Sequence, residues 1–172
     1  MACRKLLQTL LKCATGDGNL LMNVGPMPDG TMPPDHVARL REAGDWLKAH
    51  GEAVYGTRGG PFRNDETGGM TCRGNTIYVH VWDWPAHRVC LPEINARILS
   101  VYSPTARDLH HEMVDGRLCF SVGEQDRLSL DTLVVLTLDR PAEAVRNNDL
   151  PWRLQQTGKG HAALIVEDFL GQ

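Results

Sequence analysis

The run Asn19-Leu20-Leu21-Met22-Asn23-Val24 constrains the fold most. Successive side chains of a strand point to opposite faces. Leu20, Leu21, Met22 and Val24 therefore put apolar groups on both faces, and both need cover. That is the pattern of a strand in a parallel sheet flanked by helices. The flanks agree. Leu6, Leu7, Leu10 and Leu11 recur at helical spacing, so an amphipathic helix is predicted over 4–14, stopped by Gly16 and Gly18. Beyond the strand, Pro33-Pro34 suit a first helical turn, where a missing N–H loses nothing. Asp35 favours the positive end of that helix, Lys48 and His50 the negative end, and Gly51 its C-cap. Val37, Leu40, Gly44 and Leu47 mark its apolar face, with Trp46 beside it. Parallel strands reach their neighbours through crossover helices, yet this piece supplies one strand. Either it pairs with a sheet downstream, or the chain is a piece of a larger α/β protein. The second reading is preferred.

After Arg58 the period changes. A loop over 59–69 precedes short β-rich runs at 75–84, 87–94, 96–103, 108–114, 117–122 and 131–138. Asp115-Gly116 between two of them is a two-residue hairpin signal. Closely spaced strands with no helices between them predict an antiparallel sandwich. Residues 141–172 have no clear period, although 162–166 read as a strand or a short buried segment. The expected organisation is a helix-strand-helix unit over 1–58, a β-sandwich over 59–140, and a tail of unassigned structure over 141–172.

Bulk properties exclude several classes. The net charge of −3, with no basic cluster, offers nothing to nucleic acid or an acidic membrane. No apolar run approaches the ~20 residues of a membrane span. At the N-terminus, Arg4, Lys5, Gln8 and Thr9 break the apolar stretch and no small-residue cleavage site follows, so a helix is preferred to a signal peptide. The five cysteines lack a C-x-x-C spacing and read as buried free thiols. No metal or cofactor is expected. Gly16-x-Gly18 fails as a phosphate loop, because Leu21 stands at the third glycine and the glycines precede the strand. His110 and His111 point to opposite faces of a strand. His80 and His111 could meet across strands, but no further ligand accompanies them.

Two features remain as candidate binding residues. Asn23 is an amide at the end of an apolar strand. It either bonds the following turn or, as at the C-terminal end of a β/α-barrel strand, faces a site. Asp83 lies between Trp82 and Trp84, which makes a strand end before Pro85 or a sugar-binding edge.

Residues 18–58 carry a likeness. They resemble a segment of the α-L-fucosidases of glycoside hydrolase family 29, which show G-N-L-L-L-N-x-G-P-x-P-D-G-x-I-P and then a helix ending in G-E-A-I-Y-G-T-R. Gly18, Asn19, Leu20, Leu21, Asn23, Gly25, Pro26, Pro28, Asp29, Gly30 and Pro33 match, as do Gly51, Glu52, Ala53, Tyr55, Gly56, Thr57 and Arg58. Met22 and Met32 depart mildly. The resemblance continues more loosely to about residue 140. It implies an α+β fragment: a helix-strand-helix remnant of a (β/α)8 barrel, with 19–24 as its last strand, followed by an antiparallel β-sandwich. It implies retaining hydrolysis of terminal α-L-fucosyl linkages by the complete protein, with fucosylated glycans or glycoconjugates as partners. It places the aspartate nucleophile and the acid/base residue upstream of this chain. No catalytic residue is therefore assigned, Asn23 is expected at a pocket rim, and the chain alone is expected to be inactive. The missing barrel portion, or a second copy, is the expected protein partner. Family members are commonly secreted, periplasmic or lysosomal, although no signal peptide is visible here. The alternative is a free-standing carbohydrate-binding or structural sandwich, with Trp82, Asp83 and Trp84 as its edge.

Overall fold

The computed structural model describes residues 3–127, 130–153, 155–157 and 161–163. Helix α1 spans Cys3–Thr15 and α2 spans Pro34–His50. A 3-10 turn over Gly51–Ala53 follows α2. Gly51 takes a right-handed φ of −63°, so the chain tightens there and does not end in a left-handed glycine cap. Between the helices, residues 18–27 form no strand, and Leu21 is 94% exposed. The predicted strand over 19–24 is thus absent. Its apolar pattern is strand-like, but a strand exists only where its N–H and C=O groups find a ladder, and none lies beside it among the described residues.

The sandwich forms as predicted and extends further. Strands β1 (Arg58–Gly59), β3 (Gly68–Arg73), β4 (Thr76–Val81), β9 (Thr132–Leu138) and β6 (Ile98–Tyr102) form an antiparallel sheet in the order β1-β3-β4-β9-β6. A second antiparallel sheet orders β5 (Val89–Cys90), β8 (Arg117–Val122) and β7 (Leu109–Val114) as β5-β8-β7. The β7–β8 turn is the expected hairpin: Asp115 and Gly116 both have positive φ, 49° and 77°. Alternation places Ile77, Val79, Val81, Val134, Leu136 and Leu138 in the core between the sheets, against Leu118 and Phe120 of β8.

The core does not stop at residue 140. Ala142, Val145 and Trp152 are buried in it, and β10 (Asn147–Pro151) pairs in parallel with β2 (Phe62–Arg63). A further hairpin joins β11 (Gln155–Thr157) and β12 (His161–Ala163). The expected segment 162–166 thus enters β12 at its start, and its last three residues lie outside the described ones.

The opposite face of the larger sheet is also covered. Tyr78, Leu133 and Val135 pack under Ala53 of the 3-10 turn. Leu7 and Leu11 of α1 pack with Trp46 of α2 and with Trp82, just past β4. Hence β4 and β9 are buried on both sides, consistent with the unbroken apolar run Leu133–Leu136. By contrast, the predicted apolar face of α2 is largely open. Only Ala43 and Trp46 of that helix are buried, and Leu40 is exposed.

Strand β3 lies where a loop was expected at its start, because Gly68-Gly69 disguises it. Both glycines answer to close approach. A Cβ on Gly68 would lie 2.4 Å from Trp152 Cζ2, and one on Gly69 would lie 2.7 Å from the Cβ of Thr15. The free-thiol reading is corrected for two cysteines. Cys90 and Cys119 stand opposite each other in the β5–β8 ladder and form a disulfide. Cys3, Cys13 and Cys72 are free. No helix is long and apolar enough to cross a membrane among the described residues.

The disulfide closes a sequence separation of 29 residues. Restricting an unfolded loop of that size is worth about 3–4 kcal/mol. The double variant C90A/C119A is expected to lose that much in chemical unfolding, and reductant should lower the wild-type midpoint while leaving the variant's unchanged.

Candidate functional site

The polar side chains with organised geometry gather where the helical segment meets the sandwich. Asp17 follows α1 in a left-handed conformation, φ 62°. Its carboxylate accepts hydrogen bonds from Arg58 Nε at 2.9 Å and Nη2 at 2.6 Å, and from the Gly59 N–H at 3.0 Å. The Arg58 hydrogen bonds, then the Gly59 amide, hold the Asp17 carboxyl well below the usual carboxylate range. Gly59 permits the approach: a Cβ there would lie 2.4 Å from the Asp17 backbone nitrogen. Beside this pair is a cleft of about 520 Å³ between the end of α1 and residues 54–58, lined among others by Cys13, Asn19, Leu20 and Tyr55. Asp17 has both its oxygens engaged by Arg58 and is not a free nucleophile or acid.

A second constellation is fully buried. Thr71 Oγ1 donates to the Ala53 carbonyl at 2.6 Å and lies 3.3 Å from His80 Nε2, while His80 Nδ1 lies 2.8 Å from Asp131 Oδ2. The order hydroxyl, imidazole, carboxylate imitates a hydrolytic triad. Its chemistry is different. All three residues are sealed from solvent, and the Thr71 proton is committed to a backbone carbonyl. The chain of contacts ties the 3-10 turn to strands β3 and β4 and to the entry of β9.

The sequence candidates are dispersed. Asn23 is exposed and does not line the cleft. The turn after it is closed by Asp29, whose Oδ1 accepts from the Thr31 N–H at 3.0 Å and hydroxyl at 2.7 Å. Trp82, Asp83 and Trp84 do not share one exposed edge. Trp82 is 3% exposed, and its indole N–H donates to the Glu66 carbonyl. Trp84 is half-buried against Phe120, with Arg127 over its ring. Asp83 alone is exposed. Alternation at the end of β4 separates the two indoles. His80 and His111 lie in different sheets. No group of three His, Cys, Asp or Glu residues has metal-binding geometry among the described residues. Sequence reasoning missed Asp17 and Asp131. The signals were present: a Gly-Asp-Gly connection just after a helix, and an aspartate directly ahead of a buried strand.

The arrangement of antiparallel sheets with two helices on the outer face of the larger one has counterparts among solved structures. Among solved structures, Alpha-L-fucosidase isoenzyme 1 from Paenibacillus thiaminolyticus shares the fold with a TM-score of 0.71 at 24% identity, over 81% of this chain and 35% of that one. The alpha-fucosidase of Thermotoga maritima matches with a TM-score of 0.59 at 26% identity, over 80% of this chain and 34% of its own.

Sequence narrows the relation to the α-L-fucosidases. Residues 1–52 match the family model described as Alpha-L-fucosidase. An alpha-L-fucosidase of Branchiostoma floridae is 40% identical over 46% of this chain, and the human plasma alpha-L-fucosidase is 42% identical over 38%. The chain spans only 18% and 14% of the length of those two proteins. It is thus related to a part of the α-L-fucosidases.

Two outcomes follow from the junction. The carboxyl of Asp17 is depressed in the folded state, so its contribution is present above the unfolded value near pH 4 and is lost as pH falls further toward the folded value. Urea unfolding between pH 5 and 2 is expected to show a shallower acid-side loss of stability for Asp17→Asn than for wild type. For the buried pair, His80→Leu leaves Asp131 without its partner and is expected to cost about 3–5 kcal/mol. Adding Asp131→Leu should recover part of that loss, which a double-mutant cycle by thermal unfolding would show.

Proposed function

We propose that this chain is the C-terminal part of an α-L-fucosidase-like glycoside hydrolase. One observation carries this reading. The segment 18–33 lies within the stretch matched to the family, is written as a doubly covered strand and its corner, and joins no strand ladder among the described residues, with Leu21 exposed. In the complete protein, residues 19–24 add to a parallel barrel sheet, α1 and α2 flank it, and Asn23 comes to the rim of the pocket. The sandwich holds the two helices in place from behind.

The complete protein hydrolyses terminal α-L-fucosyl linkages of glycans with retention. Retention needs a nucleophilic carboxylate and an acid/base carboxyl about 5 Å apart across the bond. Another part of the protein supplies them. The buried or ordered aspartates here are otherwise engaged: Asp17 by Arg58, Asp131 by His80, and Asp65 by Thr67 and Arg153. The 172 residues alone are therefore expected to give no release of nitrophenol from a 4-nitrophenyl α-L-fucoside above a mock-purified control. Turnover that co-purifies with the chain overturns the proposal.

A further inference from the structure

Strand β7 ends the smaller sheet. It pairs with β8 on one side and with no strand on the other among the described residues. His110, His111, Glu112 and Met113 are all exposed, Met113 at 58%. Neither lysine nor proline guards this edge, and no bulge interrupts its ladder. Such an edge invites a further strand. We propose that β7 is a self-association edge, which pairs antiparallel with β7 of a second copy of this chain about a two-fold axis at His111.

Three independent features of β7 agree on that register. The first is the backbone. The two-residue turn makes Val114 and Arg117 a hydrogen-bonded pair. Pairs alternate along an antiparallel ladder, so Val114, Glu112 and His110 direct their N–H and C=O groups to β8. Leu109, His111 and Met113 direct theirs outward. A two-fold at His111 sets those outward groups against each other: His111 against its own copy, and Leu109 against Met113 of the second chain.

The second feature is charge. A two-fold perpendicular to the sheet keeps the same face up in both copies, so directly opposed residues share a face. Centred on His111, the axis sets His110 against Glu112 of the second copy, twice. An imidazole N–H then meets a carboxylate. His110 Nε2 already faces Asp108 at 2.9 Å, so it is the imidazolium form, with both ring nitrogens donating, that has Nδ1–H left for this contact, while Glu112 keeps Arg88 Nη1 at 3.0 Å. The neighbouring registers are repelled. A centre at Glu112 opposes the two copies of Glu112, and a centre at His110 opposes Asp108 to Glu112. Like charges directly across a ladder are destabilising.

The third feature is apolar. On the other face, the chosen register places Leu109 beside Met113 of the second copy. Leu109 already packs on the sandwich core, so the exposed Met113 side chain would extend that core across the axis. The result is a continuous sheet through both copies, an isologous contact that closes on itself.

Sedimentation velocity on the full chain, from about 1 to 100 μM and at about pH 5.5, below the ordinary imidazole value, tests this. A reversible monomer–dimer equilibrium is expected. His110→Glu places Glu opposite Glu112 at both symmetric positions and should weaken the dimer about tenfold or more. His110→Lys keeps a cation beside Asp108 and opposite Glu112 and should retain the dimer. All three proteins should keep the same thermal unfolding midpoint within a few degrees, since residue 110 lies on the surface. A monomer throughout the range overturns the proposal. So does a dimer that His110→Glu leaves intact, or one that His110→Lys abolishes.

Discussion

The arrangement depends on one constraint: the central strands β4 and β9 of the larger sheet are buried on both faces, so each face there needs cover. One face is satisfied by the smaller sheet, across Val79, Val134, Leu136 and Phe120. The other is satisfied by the polypeptide that precedes the sandwich, through Ala53, Leu7 and Leu11. Seating a helix on a sheet this closely demands that side chains be absent at the contact. Gly59 and Gly69 meet that demand beneath Thr15 and Asp17. Polar groups brought together at the seat then pair across it, Thr71 and Thr15 buried and the others at its rim. Asp17 with Arg58, Asn64 with the Lys12 carbonyl and Thr15, and Thr71 with Ala53 are the result.

The aspartates of the junction are held in structural contacts. A reactive carboxyl needs an open oxygen and a pKa near its working pH. Asp17 is pulled the other way by a bidentate guanidinium, and Asp131 is buried against an imidazole. One oxygen of Asp131 has no hydrogen-bond partner among the described residues. The cost of that unmade bond is carried by the packing around it.

Legibility in the sequence followed how local each determinant is. The strands β4, β8 and β9 and the Asp115-Gly116 turn were readable, because alternation and turn chemistry act over a few residues. Helices α1 and α2 were readable for the same reason, from spacing and end residues. What escaped depends on distant partners. Gly68-Gly69 looks like a loop until Trp152 and Thr15 are brought against it. Trp152 looks like part of an unassigned tail until β10 docks beside β2. Cys90 and Cys119 carry no spacing signature, because their pairing is set by a ladder register. The segment 19–24 fails in the opposite direction: its local pattern is clear, but the neighbours that would realise it are not among the described residues. Trp82, Asp83 and Trp84 were legible as a strand end, and burial then took Trp82 out of reach of solvent.

The close fit at Gly59 has a consequence for modularity. Residue 58 reads as a seam between two units, yet the chain on either side of it is interlocked through Asp17, Thr15, Ala53 and Thr71. A cut there would strip the cover from Tyr78, Leu133 and Val135. The piece that can be exchanged between proteins as an intact body is thus the sandwich together with its two helices. Any recombination that moves the sandwich must carry α1 and the 3-10 turn along with it.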